Sequence, residues 1–509
     1  MRSKKVVKNG IYAAGSFIIL SLLGIVVRTV FVKYADISLL GYEGLFGNVF
    51  SILLLADLGI ETLINFKLYP AVENDDKTAI IKYLCMYKRL YAIVGIIMFV
   101  AGINAIPLLP HIIKDEITNW NYVIIIYLLQ LISTVSTYFL AYKRVIFIVY
   151  QKEYKNTQID FYGNLINSIL KIIALVIFES YIIYLICNLL TNIFRNIIIS
   201  WRVNNEYPFL RERRDVSFEE IKEEGIFTEL KNGIYGKVAA TIYFGVDNIL
   251  VSKFIGLAQV GMMANYTLIM SSVDAIISKF VNPLQPSVGS YVYSHSKEEG
   301  LQLFKMFDTL FFILALFVSG SFVALFNPFI TVWLGEKYVL SQLYVLAIAL
   351  NEYISWNHRG VCIFRYCFAN YALEKKASFT AAIINLVISI LLIKPFGIAG
   401  VAIGTAVGNV GFWIGRTKAL YTEYIEENVF IYIRKQIIHI AVLIASLCFM
   451  NIISFELPFT IIGIVERMII CVVIPMVIGA LALLFSGTYK TANIYIDVLK
   501  GRRNIDNMQ

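Results

Sequence analysis

Charge is scarce in this chain. Only 16% of its 509 residues are Asp, Glu, Lys or Arg, while 59% are hydrophobic and the mean hydropathy is +0.72. Soluble domains carry about a quarter charged residues, so a soluble globular fold is excluded. Cysteine is also sparse: Cys85, Cys187, Cys362, Cys367, Cys448 and Cys471 fall in or beside apolar stretches with no C-x-x-C pair, which argues against a disulfide framework or a zinc site. The four histidines are scattered, so no metal cluster is visible. Paired carboxylates placed for acid/base work, a Ser/His/Asp arrangement and a Gly-rich phosphate loop are missing too. The connections are short, the longest outer one being the polar stretch around "HIIKDEITNW", which leaves no room for a catalytic domain. The sequence reads as a non-enzyme that needs no cofactor.

Long apolar runs are what the chain has instead. Stretches of about 18 or more mostly apolar residues are long enough to cross a bilayer core, and fourteen begin near Ile11, Gly41, Leu90, Asn121, Ile159, Tyr181, Ile234, Val260, Phe307, Ser341, Ser378, Ala399, Ile437 and Phe459. The expected fold class is an all-α integral membrane protein of about fourteen transmembrane helices. The first run is too long for a removable signal peptide and lacks a small-residue cleavage site, so it reads as a span. Lys and Arg crowd the connections on one side, leaving at most Lys33, Lys114, Lys253, Lys337 and Lys394 on the other. By the positive-inside rule both termini are expected in the cytosol. The net charge of +9 then reflects topology more than nucleic-acid binding.

"KNGIY" occurs at Lys8–Tyr12 and again at Lys231–Tyr235, 223 positions later. After a three-residue gap in the first outer turn, an offset of 220 aligns Gly41 with Gly261, Ser51 with Ser271, Lys77 with Lys297 and Met86 with Met306, and "MYKRLY" overlies "MFDTLF". Each copy opens six spans, an even number, so both halves enter the membrane with the same orientation as parallel repeats. The expected organisation is a lobe over residues 1–202, a charged cytosolic linker over 203–230, and a second lobe over 231–420. Two extra spans over 421–485 and a cytosolic tail over 486–509 complete it.

Ionisable groups inside a membrane are costly and tend to face a bundle interior or a wet cavity. Lys67 and Lys279 lie near inner ends of spans, where they can snorkel. Arg467 follows Glu466 and can pair locally or snorkel. Arg28, Lys171, Arg195 and Arg359 lie deeper and either line a cavity or form structural ion pairs. Asp57, Glu61 and Asn65 are spaced i, i+4, i+8 on one face of the second span, a pattern open to cation or proton coupling. Asp247, Asn248 and Asp274 lie within spans, and Glu352 and Arg359 are seven apart, a spacing that permits an internal salt bridge. A cavity with more cations than free acids suits an anionic head group, and pyrophosphate is the natural candidate.

The stretches "YADISLLGYEGLFGNVFSILLLADLGIETLINFKLYPAVENDDKTAIIKYLCMYKRLY", "DNILVSKFIGLAQVGMMANYTLIMSSV" and "INLVISILLIKPFGIAGVAIGTAVGN" resemble Wzx-type flippases of lipid-linked oligosaccharides, in the MOP exporter superfamily. The resemblance spans nearly the whole chain. It implies two lobes in a V that alternate between inward- and outward-open states around a central cationic cavity. It also implies a substrate of undecaprenyl diphosphate bearing a short glycan for capsule, exopolysaccharide or teichoic-type polymers. The setting it implies is a bacterial plasma membrane, with polymerase and glycosyltransferase machinery as partners beside the membrane lipid. Arg28 matches the family's first-helix arginine, Asp57 its acidic second-helix position, and Asp247 and Asn265 its polar signatures in helices 7 and 8. The substrate-binding residues so expected are Arg28, Arg359, Arg195 and Lys171, with Asp57, Glu61, Asn65, Asp247 and Glu352 as a polar or coupling set. The chain departs at Glu61, where a small residue is usual, and in "CFANYALEKK", where a Gly- and Asp-containing pattern is usual. The rival readings are a peptidoglycan-precursor flippase and a MATE-type multidrug or cation antiporter. The second of these would want a cavity rich in acids and aromatics.

Overall fold

Short polar side chains set where the helices begin. Asp36 accepts from the Ser38 backbone N–H at 2.7 Å, Asp76 from Ala79 at 2.9 Å and Asn119 from Tyr122 at 3.1 Å, each satisfying a donor with no partner inside its helix. Ser217 with Glu220 and Ser296 with Glu299 form reciprocal capping boxes. The computed structural model describes residues 2–54, 59–212, 214–228, 230, 238, 241, 243, 245–367, 372–454 and 457–486. Nearly all of these are helical, and none of the described residues is in a strand.

Two compact units divide the chain, residues 1–265 and 266–509. The first contains α1 (Arg2–Tyr34), α2 (Ile37–Leu53), α3 (Ile60–Glu73), α4 (Lys77–Ala105), α5 (Trp120–Leu140), α6 (Tyr154–Val176), α7 (Tyr181–Glu206), α8 (Phe218–Glu223) and α9 (Asp247–Phe254). There α1 packs on α6, α6 on α7, α7 on α5, α5 on α4 and α4 on α3. The core is aromatic and aliphatic: Phe46 meets Tyr127 edge to face at 5.0 Å, and the Tyr127 hydroxyl donates to the Gly102 carbonyl at 2.8 Å. The linker helix α8 is anchored by Ile221 and Ile226, both fully buried.

The boundary between the units falls inside α10 (Leu257–Val281). The second unit continues with α11 (Leu284–Ser294), α12 (Lys297–Leu334), α13 (Gln342–Asn357), α14 (Arg359–Cys367), α15 (Ala372–Phe396), α16 (Ile398–Leu420), α17 (Val429–Ser454) and α18 (Ile461–Ser486). Its centre is α12, against which α13, α14, α17 and α18 all pack. The pair α15 and α16 approaches closely because Gly400 and Gly404 carry no side chain: a Cβ on Gly400 would stand 2.2 Å from the Leu392 carbonyl oxygen.

Among the described residues, eleven helices are long and apolar enough to cross a membrane, and the chain is a multi-pass membrane protein. The other three of the fourteen expected spans are two that are divided between helices and one that lies largely outside the described residues. The span expected from Gly41 is split between α2 and α3, with Gly59 at φ +83° just before α3, a backbone state that glycine alone adopts without strain. The span expected from Ser341 is two helices, α13 and α14, meeting at His358. The span expected from Ile234 lies largely outside the described residues, as does the second copy of the repeated pentapeptide.

Candidate functional site: buried cations and carboxylates

In the first unit two of the expected substrate-binding cations, Arg28 and Arg195, lie in the electrostatic neighbourhood of a third, Lys171. Lys171 on α6 has Glu43, Arg28 and Arg195 as electrostatic neighbours. Its ammonium lies 4.4 Å from the centroid of the Tyr184 ring on α7. Tyr184 stacks on Tyr181 at 5.4 Å, and Phe31 meets both rings edge-on at 5.7 and 5.5 Å, so an aromatic floor joins α1 to α7 under the cation. Arg28 on α1 donates from Nη1 to the Asn265 side-chain oxygen at 3.4 Å, and Asn265 is itself fully buried.

Arg195 is held more tightly. It donates to Asn164 at 2.6 Å and to Asn192, and lies 3.8 Å from Asp160, which also pairs with Arg144. Its aliphatic stem fits because position 163 is glycine: a Cβ there would stand 2.3 Å from Arg195 Cδ. Of the two roles open to Arg195, the structure assigns the structural ion-pair network, although its Nε is buried without a partner. The sequence reading did not single out Glu43 or Asp160. Asp160 opens the α6 span sixteen residues from Arg144, too far along the chain for any local spacing rule to connect them.

The acidic set is more dispersed. Asp57 lies outside the described residues. Glu61 and Asn65 share a face of α3: Glu61 lines a cavity of about 280 Å³ with Tyr87, Tyr91, Tyr138 and Arg144, and the Asn65 side-chain oxygen is buried with no protein donor. Asp247 opens α9, where its neighbour Asn248 donates to the Gly44 carbonyl at 3.2 Å and to Asn48 at 3.3 Å.

In the second unit Glu352 does not meet Arg359. The expected pairing needs one helix through both residues, but α13 ends at Asn357, and Arg359 on α14 donates instead to Asn282 at 2.7 Å. Glu352, buried at 6% exposure, faces the Asp274 carboxyl of α10, which accepts from the Trp356 indole at 2.9 Å. Two carboxyl groups at hydrogen-bond range require a shared proton or a cation to coexist. A separate network ties α17 to α12: buried Asp308 accepts from Lys435 at 2.6 Å and from Gln436 at 3.3 Å. Among the described residues no group of His, Cys, Asp and Glu is placed to hold a metal ion.

No family model matches the chain, and no curated protein matches it. Solved structures do. The lipid II flippase MurJ in an inward closed conformation superposes with a TM-score of 0.69 over 93% of this chain and 98% of that one, at 14% identity. A mutant of the Vibrio cholerae MATE transporter VcmN gives 0.54 over 83% and 98%, at 16% identity. A MOP-superfamily transporter from Pyrococcus furiosus gives 0.50 over 82% and 96%, at 15% identity. The chain shares the fold of these solved structures. Likeness at this identity fixes the fold alone, so the cargo has to be argued from the side chains. On that fold, the first unit is cation-rich around Lys171 and the second carries the carboxyl pair.

Proposed function

We propose that the protein is a flippase that moves undecaprenyl-diphosphate-linked oligosaccharide repeat units from the cytosolic to the outer leaflet of a bacterial plasma membrane. It works by alternating access, with both termini in the cytosol, and supplies capsule, exopolysaccharide or teichoic-type polymer assembly. Translocation breaks no covalent bond, so the side chains need only bind, orient and release. The observation that carries this reading is Lys171 on its aromatic floor, with Arg28 as a cationic neighbour and Glu43 as its acidic one. Guanidinium and ammonium groups give charge-assisted hydrogen bonds to diphosphate oxygens. A desolvated ammonium over an aromatic ring gains from an anionic partner. In the second unit, Arg359 keeps a buried Nε without a partner and adds a further cation for an anionic cargo. Polymerase and glycosyltransferase machinery would deliver and consume the glycan, and no nucleic acid is involved.

Two other readings have specific support. The likeness to the lipid II flippase favours a peptidoglycan precursor as cargo, with the same diphosphate chemistry. The Asp274–Glu352 pair suits a cation antiporter. Proteoliposomes separate the three. The assay offers a labelled undecaprenyl-diphosphate oligosaccharide, lipid II and an organic cation such as ethidium, with the native protein and the Arg28→Ala and Lys171→Ala variants. The expected result is transfer of the oligosaccharide lipid, slowed about tenfold or more in each variant through lost charge-assisted bonds. Transfer of lipid II alone would make the cargo the peptidoglycan precursor. Extrusion of ethidium without lipid transfer would replace the flippase reading with antiport.

A further inference from the structure

Most cations near the linker end of the first unit have a carboxylate. Lys67 and Lys82 share Glu224, Lys152 and Lys155 share Glu206, and Arg144 meets Asp160. Lys88, Lys143 and Arg211 do not: among the described residues none of the three has an ion-pair partner. All three line one cavity of about 300 Å³, whose floor includes Ile81, Leu84 and Leu210. Lys143 is only 9% exposed, and its ammonium donates to the neutral Asn204 side-chain oxygen at 2.5 Å. Lys88 and Lys143 both lie over the Tyr142 ring, at 5.9 and 5.8 Å from its centroid, so two ammonium groups share one aromatic ring. Arg211 donates to Asn205 at 3.0 Å. Glu212, exposed, is the one acid in the lining. A buried ammonium held only by an amide and crowded by a second ammonium is a costly arrangement without an anion.

The sequence repeat offers a comparison at the corresponding position of the second unit. At an offset of 220, Lys88 in "MYKRLY" corresponds to Asp308 in "MFDTLF". In the second unit Asp308 is 2% exposed and closed by Lys435, a counter-ion from α17, which lies beyond the repeat. Among the described residues Lys88 has no such ion-pair partner and lines the cavity instead.

We propose that the Lys88–Lys143–Arg211 cavity binds a phosphate-bearing anion that takes the place of the missing counter-ion. Its volume equals roughly ten liquid waters, room for a phosphate monoester or diphosphate with its shell. The ligand is either the head group of an anionic lipid or a soluble phosphate. The site is separate from the Arg28 and Lys171 cluster and does not depend on what the protein transports.

The test uses full-length protein in a neutral detergent. Inorganic pyrophosphate is titrated by calorimetry, and retention of phosphatidylglycerol against phosphatidylcholine is read by native mass spectrometry. Lys88→Gln and Arg211→Gln are preferred to a change at buried Lys143, since both side chains are exposed and their loss leaves the core intact. Each is expected to weaken pyrophosphate, phosphatidylglycerol or both by about tenfold, with an unchanged melting temperature in the absence of ligand. Loss confined to pyrophosphate identifies a soluble phosphate, and loss confined to phosphatidylglycerol a lipid head group. Equal binding by native and variant proteins would overturn the site. So would a loss no larger than that seen in Lys297→Gln, an exposed cation of the second unit that does not line the cavity, or a loss seen only in Arg28→Ala.

Discussion

Glu224 sits where two lysines need an anion. It accepts from Lys82 at 2.5 Å and from Lys67 at 3.1 Å, and the Tyr83 hydroxyl donates to it at 3.3 Å. Partial burial pushes the Glu224 carboxyl up, but the hydrogen bonds and charges of Lys82 and Lys67 outweigh that and hold it below its ordinary value. A carboxyl depressed in the folded state adds stability that is present above its unfolded value of about 4.3 and is lost as pH falls through the lower folded value. The linker segment around Ile221 and Ile226 is therefore expected to lose hydrogen-exchange protection below about pH 4.3, after correction for intrinsic exchange rates. Glu224→Gln should show the loosened linker already at pH 7 and remove the acid step, costing about 1.5–3 kcal/mol for hydrogen bonds between charged groups. A native profile flat to pH 3 would show that the linker is anchored by its apolar residues alone. Lys67 itself was expected to snorkel at an inner span end, and its pairing was not legible, because Glu224 is 157 positions away in a stretch that reads only as a charged linker.

At the scale of helices, the repeat read from the sequence has a physical counterpart. A Cβ on Gly41 would stand 2.1 Å from the Leu257 carbonyl oxygen, and one on Gly261 2.1 Å from the Ile37 carbonyl oxygen. Gly41 with Gly261 and Ile37 with Leu257 are related by the same offset of 220, so the two starts, of α2 and of α10, pack reciprocally through their glycines. Gly41→Val is expected to lower stability by about 1–3 kcal/mol, the usual cost of overpacking, read as a lower melting temperature in detergent. Gly47→Ala is the control on the same helix: nothing lies within 4 Å of its Cβ, so it should be neutral or slightly stabilising. Equal melting temperatures for the two variants would dissolve the reciprocal contact. Hydropathy and the repeat made most spans and their register legible. The interruptions at Gly59 and His358 were not, because a window average over apolar residues stays high across a single break in backbone geometry. The Asp308–Lys435 bond was hidden for a different reason: its partners are 127 positions apart, and Lys435 counted only as a loop cation.

For the molecule as a whole, the proposed export needs a driving force. A diphosphate carrying two negative charges gains about 2.3 kcal/mol per charge for each 100 mV when it leaves an inside-negative compartment. That is about 4.6 kcal/mol, a leaflet ratio of roughly two-thousandfold, with no chemical fuel. Under the proposed function, the Asp274–Glu352 pair would supply a second way to couple transport, since a shared proton or cation could be exchanged with each cycle. These two drives predict different experiments on one protein. If the potential suffices, outward accumulation of the lipid diphosphate in proteoliposomes should rise with an imposed inside-negative potential and persist in Glu352→Gln with the pH gradient collapsed. If the carboxyl pair is the coupling element, the native protein should respond to a pH or sodium gradient at zero potential, and Glu352→Gln should lose that response while still exchanging lipid down its gradient. Under the proposed function, the cations around Lys171 favour the first outcome, since an anionic cargo bound there would carry net charge across the membrane.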